Sequence, residues 1–177
     1  IGAGSVLDSA KAIAAAAKYD GDAWDLIKDG SKIQDALPIF TVLAMVATGS
    51  EMDFFTVISD MTLNDKLGSC NEKLFPTFSI LDPQYTYTVP RRQLVAGTAD
   101  IMSHVIDTYF NRYDEAVIQQ SLGEALLVNC IKYLPVALEK PEDHEARANL
   151  MWASSLAMNG LLKCGCATVW SCHKMEH

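Results

Sequence analysis

Strand-like runs stop at Pro90 and only helical spacing follows, a change that limits the fold more than any single residue does. Before Pro90, β-branched apolar runs alternate with turn-forming residues. From Arg91 onward, apolar residues recur at helical spacing and no segment reads as a strand. The pattern predicts an α/β half followed by an all-helical half, with the boundary near Pro90. In the first half, a helix is expected over Ser5–Lys18, with Ser5 as N-cap and Asp8 at the third helical position of a capping box. A short helix is expected over Ala23–Asp29. Leu37–Ala47 reads as a parallel strand buried on both faces. Phe54–Ser59 and Thr77–Leu81 read as further strands, joined by a polar loop containing Asn64, Asp65, Gly68 and Asn71. The second half predicts helices over Gln93–Asn111, Asp114–Tyr133 and Asp143–Lys163, and another starting near Trp170.

Composition narrows the function. Twenty-two acidic and fourteen basic side chains give the 177 residues a net charge of −8, which repels phosphate backbones and anionic lipid surfaces. Nucleic acid and membrane are therefore not expected as partners. The longest apolar run, from Ala36, is interrupted by Thr41, Thr48 and Gly49, short of the roughly 18 residues a bilayer span needs. Five cysteines, an odd number, fit a reducing cytoplasm. Cys164, Cys166 and Cys172 lack the C-x-x-C spacing of structural zinc sites and are expected as buried small hydrophobes; Met151, Trp152 and Met158 are expected in the core. The chain opens at Ile1 directly onto a glycine turn and closes at His177 inside a helical pattern, so it is expected to be an internal segment of a longer protein, inactive alone.

Three patterns carry chemistry. Gly2-Ala3-Gly4-Ser5 opens a helix with small residues, which lets backbone N–H groups approach a pyrophosphate; a simple tight turn before a capped helix satisfies the same residues. The string matches neither the G-x-G-x-x-G fingerprint, because Leu7 stands at the third glycine, nor the P-loop. Asp100 and His104 lie four apart, which stacks their side chains about 5–6 Å apart at Cβ on one helix face. An oxygen and an imidazole nitrogen form half of a site for Fe(2+) or Zn(2+); a core histidine beside a carboxylate is the alternative. His173 and His177 repeat the i, i+4 spacing. With Glu176 they also satisfy H-x-x-E-H, the pattern of a zinc peptidase. His144, in the charged run Glu142-Asp143-His144-Glu145, is expected to be solvated.

In order along the chain, IGAGSVLDSAKAIA, ATGSEM, LDPQYTYTVP, GTADIMSHVIDTYF, ARANLMWASSLAMNGLL and CHKMEH resemble the iron-containing (group III) alcohol dehydrogenases, within them the butanol-dehydrogenase branch. The resemblance implies that residues 1–90 are the C-terminal part of a truncated, Rossmann-like dinucleotide-binding α/β domain. Residues 91–177 are then the N-terminal part of a helical metal-binding domain. It implies a metal-dependent alcohol dehydrogenase or aldehyde reductase, moving hydride between NAD(H) or NADP(H) and a short- or medium-chain primary alcohol or aldehyde such as butanol or butanal. The full-length protein would be a cytoplasmic homodimer. By the family's motifs, Asp100, His104 and His173 are metal ligands, with a fourth ligand beyond His177. His177 matches a histidine near the nicotinamide that relays a proton. Gly2, Gly4, Ser5 and Asp8 match the cofactor-phosphate loop, and Thr48, Ser50 and Lys66 match positions lining the cofactor cleft. Four positions depart from the pattern: Ala3 for glycine, Asp53 for asparagine, Asp107 for glutamate and Val169 for aspartate. An H-x-x-E-H zinc peptidase built on His173, Glu176 and His177, and a non-catalytic relic of the same fold, are the competing readings.

Overall fold

Gly2 lies alongside Leu43 as a parallel bridge and donates its N–H to the Val42 carbonyl at 3.1 Å, so the chain enters the first helix from the sheet. A Cβ at Gly2 would meet the Val6 side chain at 2.6 Å, which is why only glycine fits this turn. The helix α1 then spans Gly4–Ala16, with five alanines, Leu7 and Lys11 as its strong helix formers. The expected capping box does not form. The N-cap is Ala3, two residues before the expected Ser5 and with no side-chain cap, and Asp8 is drawn into the interior instead.

The computed structural model describes residues 1–62, 64–110 and 115–166. They fall into two compact units: Ile1–Leu43 with Ser50–Ile80, and Ala44–Gly49 with the chain from Leu81 onward. The first unit ends at Ile80, and the 3-10 turn Pro83–Thr86 packs on α5.

In the first unit, α2 (Ala23–Lys28) starts at Asp22, whose carboxylate accepts the Trp24 N–H at 2.9 Å. The strand expected over Leu37–Ala47 shortens to β1 (Phe40–Val42), paired in parallel with β4 (Phe78–Ile80). It is not buried on both faces: Phe40 and Phe78, side by side in the register, are exposed. β2 (Phe55–Asp60) pairs antiparallel with β3 (Asp65–Cys70), a strand lying where a polar loop was expected. Its sequence Asp-Lys-Leu-Gly-Ser-Cys has little strand propensity, and pairing with β2 imposes the extended form. Asn64, at φ 54°, makes the reversal between them. Ala15, Leu26, Ile33 and Leu74 form the apolar centre.

The second unit is helical: α3 (Arg91–Tyr109), α4 (Val117–Glu139) and α5 (His144–Met158) pack on one another. Leu94, Ile101, Val105, Ala137, Leu150, Ala153 and Ala157 fill the space between them. Gly97 lets α3 lie against the Ala44–Gly49 segment, since a Cβ there would overlap the Val46 carbonyl oxygen. The 23-residue α4 has the length and apolar composition to cross a bilayer, contrary to the expectation from uninterrupted runs, because Glu124, Asn129 and Lys132 are spread singly along it. Three side chains differ from expectation. Trp152 is exposed, Cys164 is exposed and Cys166 is half-buried, whereas Met151 and Met158 are buried. Spacing placed Trp152 on the packed stripe, but α5 turns its Leu150, Met151 and Ala153 inward instead.

Candidate functional site

The first set of residues expected to act lies at the start of α1. Val6 and Leu7 already donate to the Ala3 carbonyl at 3.0 and 3.1 Å, whereas the Gly4 and Ser5 N–H groups have no partner among the described residues. The first turn carries no acidic side chain. Two free amides and the positive end of the helix dipole make this a cradle for an anion, and the absence of a side-chain cap keeps it open.

Asp8 and Ser50 meet, but under the turn rather than on it. The Ser50 hydroxyl donates to Asp8 Oδ1 at 2.6 Å, the Val57 N–H donates to Oδ2 at 2.9 Å, and the Thr56 hydroxyl donates to the Asp8 carbonyl at 2.8 Å. Both are buried, and burial raises the Asp8 pKa against the lowering effect of the Ser50 and Val57 hydrogen bonds and of Lys11 and Lys66. Lys66, exposed on β3, thus contributes its charge to the same neighbourhood. Thr48 lies in the Ala44–Gly49 segment of the helical unit, where the Ser154 hydroxyl holds the Ala47 carbonyl at 3.3 Å.

One turn further along α1, Lys11 has no exposed surface and faces Asp53 at 2.7 Å. Asp53, also buried, accepts the Phe55 N–H at 2.9 Å. Burial pushes the Asp53 carboxyl up to about 6, against the lowering pull of Lys11. Sequence reasoning gave Lys11 no role; its only signal was a lysine three residues after Asp8, on the inward face of an alanine helix.

The second set lies on α3. Asp100 and His104 share one face as their spacing predicted, both buried, with His104 Nε2 3.5 Å from Asp100 Oδ1. Ser103 and Asp107 are buried on the same stripe, so polar residues at i, i+3, i+4 and i+7 share one buried face of the helix. The pair fits a cation. Two donors sharing a tetrahedral ion at bond lengths of about 2.1 Å stand roughly 3.4 Å apart, and one oxygen with one imidazole nitrogen suits iron or zinc rather than calcium. Among the described residues no group of three His, Cys, Asp or Glu side chains converges. His173 and His177, and with them the H-x-x-E-H reading, lie outside the described residues, as do Val169, Cys172 and the helix expected near Trp170. His144, expected to be solvated, is exposed and its Nδ1 lies 3.1 Å from the Tyr87 hydroxyl.

An α/β unit with an open glycine turn is followed in sequence by a helical unit with a buried carboxylate–imidazole pair. Residues 1–83 match the family model "Iron-containing alcohol dehydrogenase", and residues 94–177 match "Fe-containing alcohol dehydrogenase family, C-terminal". The chain belongs to the iron-containing alcohol dehydrogenase family, and is butanol dehydrogenase-like within it. It is 59% identical over 177 residues to NADH-dependent butanol dehydrogenase B of Clostridium acetobutylicum, matching all of this chain and 45% of that protein. It is 41% identical over 180 residues to NADPH-dependent aldehyde reductase YqhD of Escherichia coli, again across the whole chain and 46% of the relative. The crystal structure of NADH-dependent butanol dehydrogenase A from Thermotoga maritima superposes with a TM-score of 0.93 at 41% identity, covering 98% of this chain and 44% of that one. The chain therefore spans about half the length of the relatives it matches. The fold class is that of the family, a Rossmann-like part followed by a helical part.

Proposed function

We propose that the protein containing this chain is a metal-dependent alcohol dehydrogenase or aldehyde reductase. It moves hydride between NAD(H) or NADP(H) and a short- or medium-chain primary alcohol or aldehyde, such as butanol or butanal. The observation that carries the reading is the buried Asp100–His104 pair, 3.5 Å apart on one face of α3. Residues 1–90 form part of the dinucleotide-binding domain and residues 91–177 the start of the helical one. The full-length protein is a cytoplasmic homodimer without nucleic-acid or membrane partners.

In this reading Asp100, His104 and His173 hold Fe(2+) or Zn(2+). Gly4 and Ser5 present their free N–H groups to the cofactor pyrophosphate, and Gly2 keeps the approach clear of side chains. Asp8 and Ser50 hold this turn from beneath, and Thr48 and Lys66 complete the cofactor set. His177, four residues past His173 in the sequence, accepts the proton that leaves the alcohol and returns it to the carbonyl oxygen in the reverse direction. When bound, the metal supplies a Lewis acid for the substrate oxygen and the nicotinamide supplies hydride transfer.

Metal analysis and butanal reduction in the full-length His104→Ala protein test this. Loss of metal and of reduction together is expected; retention of both overturns the assignment. His177→Ala should instead keep the metal and slow turnover, and metal loss there would make His177 a ligand.

A further inference from the structure

Lys11 is a lysine with no exposed surface on α1, and the proposed chemistry leaves it without a task. All three of its Nζ donors are used: to Asp53 Oδ1 at 2.7 Å, to the Asp53 carbonyl at 2.9 Å and to the Phe55 carbonyl at 2.9 Å. One turn nearer the N-terminus, Asp8 is held by Ser50, Val57 and Thr56. Both ties run from the same face of α1 to the segment from Ser50 to Val57. Leu7 is the one large apolar side chain that α1 buries; Ala14 and Ala15 leave a smooth surface along which a helix slides or turns. Directional hydrogen bonds do not permit that sliding. The same helix presents the free Gly4 and Ser5 amides, whose grip on an anion depends on distances near 3 Å (about 2.7–3.2 Å for a good N–H···O bond).

We infer that Lys11, acting through Asp53 and Phe55, is a positioning residue for dinucleotide binding: it fixes the register of α1 and so the place of the Gly4 and Ser5 amides. This rests on the reading of that helix start as the cofactor-phosphate site. Lys11 touches neither cofactor nor substrate, so its loss should fall on cofactor affinity rather than on turnover at saturating cofactor. Asp53 acts as an acceptor, a task that asparagine also performs through Oδ1, whereas alanine does not.

The test uses the full-length, metal-loaded protein, with NADH and NADPH each titrated by fluorescence and steady-state reduction of butanal measured beside it. Lys11→Met should weaken the better-bound cofactor about tenfold or more, with KM for cofactor rising in step and kcat within about twofold, since tenfold corresponds to about 1.4 kcal/mol of lost grip. Asp53→Ala should do the same and Asp53→Asn should restore near-native affinity, which keeps the test intact if Lys11→Met does not fold. Unchanged cofactor affinity in folded Lys11→Met, or equal affinity in Asp53→Ala and Asp53→Asn, overturns the inference. Gly4→Val separates the two levels: if it binds cofactor normally, the helix start is not the cofactor site and the inference falls with that reading.

Discussion

Two buried polar clusters, one in each unit, are built on opposite rules. Under α1, the Asp8, Ser50, Lys11 and Asp53 side chains meet protein donors and acceptors at 2.6–2.9 Å, from residues more than forty positions away. On α3, Asp100 and His104 come from a single turn and stand 3.5 Å apart, wider than a good hydrogen bond and suited to a shared ion. The first cluster holds backbone in place; the second holds donors in place. A buried charge is therefore informative only together with the distances around it.

The largest expected effect is at Lys11. Replacing it with methionine leaves the Asp53 carboxylate buried without its cation, and should destabilise the α/β unit by about 3–5 kcal/mol in urea unfolding at neutral pH. The loss should shrink on acidification, where the Asp53 carboxyl, raised by burial and no longer lowered by Lys11, takes up a proton and sheds the charge. A loss of under about 1 kcal/mol at pH 7 would make the pair dispensable and the two clusters alike. Ser50→Ala should remove the donor to Asp8 Oδ1 and cost about 1–3 kcal/mol by the same measurement, less than the charged pair because Val57 still holds the other oxygen.

The pH dependence sharpens the picture further. Because the Asp53 pKa rises from 3.8 to about 6 on folding, the native state holds more protons than the unfolded state between those values. Stability should therefore fall as pH rises from about 4 to 6, and Asp53→Asn should remove that slope. Parallel slopes for both proteins would place the titration elsewhere. The smallest effect is expected at the exposed Lys18–Asp35 pair, 3.7 Å apart, where Lys18→Ala should leave the unfolding midpoint unmoved.

What the sequence made legible follows from the span of each interaction. The glycine turn and the D-x-x-x-H pair are local, set by spacing within one or two helical turns, and the structure shows α1 and the Asp100–His104 face where those spacings put them. β3 was not legible, because its six residues carry only Leu67 as a large apolar signal and depend on β2 for their conformation. Nor was the Lys11–Asp53 tie, whose partners are 42 residues apart. The failed capping box has the same cause. Asp8 sat at the right position for a local bond, and the distant donors Ser50 and Val57 captured it. Trp152 shows the converse, a residue at packed spacing on a helix face that its neighbours leave open.

The proposed metal site requires Asp100 and His104 to share one ion. X-ray absorption at the edge of the bound metal in the full-length protein tests it most directly. Wild type should show oxygen and imidazole nitrogen at about 2.0–2.2 Å, and Asp100→Ala and His104→Ala should each lose one such neighbour or the metal altogether. An unchanged metal shell and content in both variants would contradict it.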